Sequence, residues 1–158
     1  MPTSDADWMR LAIETTRTGL AKGQTPFGAV VTRNNELVIA AHNVVWETTD
    51  ITAHAEVNAL RLACKKLGLI DLKGCTIYST TEPCPMCFSA IHWANIDRIV
   101  YGTSIADAAA AGFNELPISN LEMKRLGESR VEVVPDFLRE EAKDLFRVFL
   151  ANAGKKVY

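Results

Sequence analysis

The sequence predicts an α/β fold, a mixed sheet covered by helices on both faces. Three observations carry this. Short runs rich in Val and Ile alternate with longer segments of helical period, the first two runs are separated only by Asn34-Asn35, and later runs are separated by helical stretches. A two-residue Asn junction suits a hairpin of antiparallel strands, whereas strands joined through a helix can run parallel.

Taken in order, Trp8, Leu11, Ala12 and Leu20 fall at helical spacing, with Ser4 or Asp5 as cap and Gly23 as terminator. Phe27 to Thr32 and Leu37 to Ala41 are the hairpin strands, and Asn43 to Thr52, polar and without period, is expected to be a loop. Ala53 to Leu67 carries Ala55, Ala59, Leu62 and Ala63 on one face and stops at Gly68, which predicts a helix. Thr76 to Ser79 reads as a strand. After the turn at Glu82-Pro83, Cys84 to Ala94 reads as a helix with Pro85 in its first turn, and Arg98 to Tyr101 as the next strand. Ser104 to Ala111 is an alanine-rich helix, Val131 to Val134 a further strand, and Arg139 to Phe149 a final amphipathic helix. No repeat or linker divides the chain, so residues 1–158 are expected to form one domain.

Composition excludes several functional classes. At 48% hydrophobic and 23% charged residues the balance is that of a globular protein, and at this length roughly two thirds of the unfolded surface is buried on folding. Disulfide staples are therefore unnecessary. A net charge of -2 disfavours a broad polyanion-binding surface, and the pairs Lys65-Lys66, Lys124-Arg125 and Lys155-Lys156 are interspersed with acids. Nucleic acid is not an expected partner. The opening residues lack the basic and apolar regions of a secretory signal, and no run approaches the ~20 apolar residues of a membrane span, so a cytoplasmic location is expected. In that compartment closely spaced cysteines point to metal or catalysis, not to a disulfide. Cys84 and Cys87 have such a spacing, while Cys64 and Cys75 lie in a helical and a strand pattern and are read as small buried side chains.

The chemistry concentrates in two short motifs, His54-Ala55-Glu56 and Pro83-Cys84-Pro85-Met86-Cys87. Two cysteines three residues apart on a first helical turn can face one ion, and thiolates with an imidazole suit zinc. His54, Cys84 and Cys87 are thus the candidate ligands of one Zn2+ per subunit. Three protein ligands leave a tetrahedral position for a water or hydroxide, which separates a catalytic from a structural site. Glu56 as a fourth ligand, or His42, His92, Cys64 or Cys75 closing the shell, is the structural alternative. Glu56 is read as the catalytic proton carrier. Positions i and i+2 diverge within a helix, so His54 and Glu56 converge only where the chain is entering one, and the motif lies at such a start. The H-x-E and P-C-x-x-C pair also resembles the signature of zinc deaminases.

On these blocks the chain resembles the cytidine deaminase superfamily, and within it the bacterial guanine deaminases more than the tRNA adenosine deaminases. Pro26-Phe27-Gly28-Ala29-Val30 and the two metal motifs are widely shared, whereas Ala111-Gly112-Phe113 and Lys155-Lys156-Val157-Tyr158 resemble the guanine enzymes. The resemblance implies a three-layer α/β/α sandwich around a five-stranded mixed sheet, and a homodimer that exchanges C-terminal segments or keeps them in place. It further implies a small-molecule purine substrate, guanine, hydrolysed to xanthine and ammonia. Asn43 would meet the purine edge, Phe27 and Phe113 would line the base pocket, and Trp93 would be either core or pocket wall. Glu115 would bind the base or shuttle protons, and Tyr158 would close its own or the partner's site. The rival substrates are guanosine, cytosine, an amino-triazine or tRNA adenosine, and the remaining rival is a non-catalytic zinc domain.

Overall fold

A computed structural model describes residues 3–158. The first helix, α1 (Asp5–Ala21), begins at a capping box in which Ser4 accepts from the Asp7 N–H and Asp7 returns a carboxylate to the Ser4 backbone. Ser4, not Asp5, is therefore the cap. Strands β1 (Gly28–Arg33) and β2 (Glu36–His42) follow, joined by Asn34 and Asn35 at φ 52° and 57°. Two consecutive left-handed residues give the twist a tight hairpin needs, and Asn tolerates that region.

Next come α2 (Val45–Thr48), α3 (Ala55–Leu67), β3 (Cys75–Thr81) and α4 (Pro85–Trp93). They are followed by β4 (Arg98–Thr103), α5 (Ile105–Ala110), α6 (Asn120–Leu126), β5 (Glu132–Val134) and α7 (Arg139–Ala151). The expected loop over 43–52 contains the single turn α2, and α6 was not foreseen. Gly68, at φ 67°, ends α3 as anticipated, because the left-handed cap is open to glycine at no steric cost.

The sheet order is β2-β1-β3-β4-β5, with β1 antiparallel to both neighbours and β3, β4 and β5 mutually parallel. This is the five-stranded mixed sheet of an α/β/α sandwich. Alternate strand residues serve two cores. Val31, Ile77 and Ile99 pack with Ala59, Ala63 and Ile91 of α3 and α4, whereas Val30, Tyr78 and Val100 pack with Met9, Ala12 and Leu145 of α1 and α7. A strand buried on both faces reads as a continuous apolar run, which is why β1 and β4 show little alternation. At Gly28 the sheet passes so close to α1 that a Cβ would overlap Thr16 Oγ1.

Long-range ion pairs fasten α1 to the sheet and α7 to α5. Arg98 on β4 forks onto Asp5 at 2.9 and 2.8 Å, and Tyr78 donates to the same carboxylate at 2.7 Å. Arg139 at the start of α7 forks onto Asp107 of α5. Among the described residues no helix is long and apolar enough to cross a membrane.

Candidate zinc site

Two helix starts meet at one edge of the fold. His54 is the N-cap of α3 and Cys84 the N-cap of α4, with Pro85 in the first helical turn, where its missing N–H costs nothing. Glu56 is the second residue of α3, so it leaves the chain at the helix entry, where a side chain two residues beyond His54 can turn toward the same point. Nδ1 of His54 lies 3.6 Å from both Cys84 Sγ and Cys87 Sγ. The edge of a tetrahedron with arms of about 2.05 Å to nitrogen and 2.3 Å to sulfur is roughly 3.6 Å, so the donor set fits zinc. His54, Cys84 and Cys87 present ligand atoms all within 4.8 Å of one another, and no fourth group joins them among the described residues. His42 instead contacts the Asn43 carbonyl through Nδ1, and Cys75 is buried in the core between α3, α4 and the sheet.

The electrostatics agree with a cation site. Hydrogen bonding from Cys87, opposed by burial and reinforced by His54, draws the Cys84 thiol down to about 4. Cys87, bonded to that thiolate and buried, is pushed well up. Burial favours a neutral His54 ring, but the Cys84 hydrogen bond and the charges of Glu56, Cys84 and Glu115 together raise its proton affinity. Cys84 is thus a thiolate before any metal arrives, while Cys87 and His54 hold protons that a metal ion displaces on binding.

Glu56 is buried, and its proton affinity is raised by that burial and by the negative Cys84. Ser79 Oγ reaches Glu56 Oε1 at 3.0 Å and the Thr81 carbonyl at 2.7 Å, so one hydroxyl proton serves two acceptors. Cys87 Sγ lies 3.5 Å from Glu56 Oε2. Glu115, half-buried, is raised to about 7 by burial and then by Cys84 and Glu56. An inner chamber of about 20 Å³, with room for one water, touches His54, Glu56, Cys84, Glu115 and Tyr158. Beyond it a cleft of about 330 Å³ opens past Phe113, Met86 and Leu116.

Phe27 and Phe113 meet edge to face with centroids 4.8 Å apart, and Tyr158 packs 5.2 Å from Phe113 and 5.4 Å from His54. Asn43 is fully buried. Its Nδ2 donates to the Tyr158 hydroxyl at 2.6 Å and its Oδ1 accepts from the Val45 N–H at 3.0 Å. The Tyr158 main-chain oxygen accepts from Asn114 N–H at 3.0 Å, and the Lys156 carbonyl accepts from Trp46 Nε1 at 3.3 Å. The 155–158 segment therefore lies over the site of its own chain.

One expected pocket residue is elsewhere. Trp93 is 82% exposed and lines a separate groove with Phe88, His92 and Met123. Helical phase explains the correction: six residues beyond Cys87, at about 100° each, leave the side chain roughly 120° around the helix from that of Cys87. Sequence reasoning missed Ser79, Glu82, Asn120 and the apolar rim of Ile51, Met86 and Leu116. The Thr81-Glu82-Pro83 stretch ahead of Cys84 was the one local signal available for Glu82.

The fold and site define an α/β protein with one histidine and two cysteines placed to hold a zinc ion beside a buried carboxylate. The family model described as the cytidine and deoxycytidylate deaminase zinc-binding region matches residues 2–103, and the chain belongs to that family. It is 38% identical over 133 residues to a guanine deaminase of Bacillus subtilis, covering 84% of this chain and 85% of that one. It is 33% identical to a tRNA-specific adenosine deaminase of the same species, covering 98% and 93%. The solved guanine deaminase of Nitrosomonas europaea superposes with a TM-score of 0.85 at 31% identity, covering 95% of this chain and 86% of the other.

Proposed function

We propose that the protein hydrolyses guanine to xanthine and ammonia. The observation that carries this reading is the convergence of the three zinc ligands with two carboxyl groups of raised proton affinity, Glu56 and Glu115, in a pocket walled by Phe27, Phe113 and Tyr158. Similarity to guanine deaminases over most of the chain supports the choice of base.

His54, Cys84 and Cys87 would hold the metal. Bound zinc supplies Lewis acidity that makes a water nucleophilic near neutral pH. Glu56 takes a proton from the water whose oxygen bonds to C2, and gives a proton to a ring nitrogen. The remaining proton, on the new C2 hydroxyl, then passes to the amino group; the C2–N bond breaks, ammonia leaves, and the C2 oxygen becomes the carbonyl of xanthine. Ser79 holds one Glu56 oxygen in place through this exchange. Glu115, at the mouth of the inner chamber, accepts from the amino group and ring N–H or passes the proton to departing ammonia. Asn43 supplies a purine-edge donor once Tyr158 releases it, and the aromatic walls exclude bulk water. The assembly we propose is a cytoplasmic homodimer, which sedimentation tests.

Ammonia release from guanine, guanosine, adenine, cytosine, cytidine and amino-triazines decides the substrate. Guanine turned over fastest is the expected result, and no turnover of guanine overturns the proposal. Similarity to the tRNA-specific enzyme across 98% of the chain favours tRNA adenosine as the second reading. Salt-sensitive tRNA binding with editing, and inert free bases, is its signature.

A further inference from the structure

We infer that Glu82, acting with Asn120, is a positioning residue for the metal ligand Cys84. The inference rests on the zinc reading of the site. Glu82 is buried, and both its carboxylate oxygens are taken by backbone donors from distant segments: Oε1 accepts from Ile105 N–H at 3.0 Å and Oε2 from Asn120 N–H at 2.9 Å. Its own N–H donates to the Thr103 carbonyl at 2.7 Å. Asn120 completes a ring of contacts by donating from Nδ2 to the Pro83 carbonyl at 2.6 Å. That carbonyl belongs to the peptide unit whose nitrogen is Cys84 N. Because the peptide is planar, fixing the direction of its oxygen fixes the plane from which the Cys84 Cα and side chain depart.

A second observation separates positioning from general anchoring. Asn120 is fully buried, and its Oδ1 is the one buried side-chain polar atom without a hydrogen-bond partner among the described residues. Leaving such an oxygen unpaired costs stability, so packing alone favours an apolar side chain there. What the amide adds is the bond to the Pro83 carbonyl. With its oxygens occupied, Glu82 acts on the metal through Cys84, as outer groups do when they orient first ligands.

Glu82→Gln exchanges one acceptor for a donor and leaves either Ile105 N–H or Asn120 N–H facing an N–H. Zinc affinity, measured by competition with a chelator, should fall about 10- to 100-fold, and the thiolate-to-cobalt and d–d bands of the Co2+-substituted protein should shift. Asn120→Ser should move both readouts the same way by less, and it carries the test if Glu82→Gln does not fold. Asp5→Asn, which loosens the Arg98 and Tyr78 contacts far from the metal, should lower the melting temperature and leave affinity and bands unchanged. Wild-type affinity and bands in folded Glu82→Gln, or in Asn120→Ser where that variant decides, would overturn the inference. A wild-type chain that fails to bind one equivalent of zinc through its thiolates sinks the zinc reading beneath it.

Discussion

The carboxylates of the outer helices and those of the zinc site are the same functional groups in opposite circumstances. Asp5 is held below its ordinary range by the Arg98 fork, against some burial, and Asp107 well below it by Arg139 and by Ser104. Glu56 and Glu115 are driven upward by burial and by Cys84, and no Arg or Lys pairs with either among the described residues. The first pair is compensated within the chain, tying α1 to the sheet and α5 to α7. The second pair is left uncompensated beside three donors that a dication would neutralise. Stability and chemistry are thus assigned to acids by the cations built around them.

Breaking this contrast at Glu56 should have the largest effect. Glu56→Gln should lower kcat by about 10²- to 10⁴-fold with zinc content unchanged, as loss of a proton carrier does. Metal analysis beside steady-state ammonia release checks it, and near-wild-type turnover would remove Glu56 from its role. Asp107→Asn should cost roughly 1.5–3 kcal/mol at pH 7, the range for hydrogen bonds to charged groups. A lowered folded pKa stabilises above the unfolded value of about 3.8, and the gain is lost as pH falls through the folded value. Urea titrations should therefore show wild type and Asp107→Asn converging in acid.

Glu115 carries the opposite sign. Its folded value near 7 exceeds the model-peptide value of 4.5, so its contribution is present at low pH and lost as pH rises through about 7. Metal-free Glu115→Gln should consequently melt higher than metal-free wild type at pH 8 and no higher at pH 4. Equal melting temperatures at pH 8 would show that the acid is not held against its charge. The smallest effect belongs to Trp93→Ala, which should leave kcat/KM for guanine within about twofold, because an exposed side chain turned away from the ligands contributes little. A larger loss would extend the site onto the outer face of α4.

What was legible in the sequence was local. The Asn34-Asn35 turn, the cap before α1 and the two ligand motifs each lie within a few residues, and their physics is complete at that range. Ser119-Leu121 with Glu122 three residues on was a readable helix start for α6, since Ser119 accepts from the Glu122 N–H, but only seven residues follow it. Trp93 was misjudged for want of helical phase. Asn120 had no local signal, and Glu82 only its place in the turn ahead of Cys84, because their contacts span 23 to 38 residues. The Asn43–Tyr158 bond spans 115.

On the proposed role of Asn43 as the purine-edge donor, that last bond makes recognition a contest. Tyr158 already presents Asn43 with a hydroxyl oxygen and lays a flat ring beside His54 and Phe113. A base that claims Asn43 exchanges one hydrogen bond for another, and gains only the difference between the two. The apparent affinity falls by the fraction of time the tyrosine stays seated, a quantity governed by the Trp46 and Asn114 tethers on the same segment. Selectivity then follows from displacement: a ring that stacks as well as a phenol and offers a better acceptor gets in, and one lacking either is outcompeted by the protein itself.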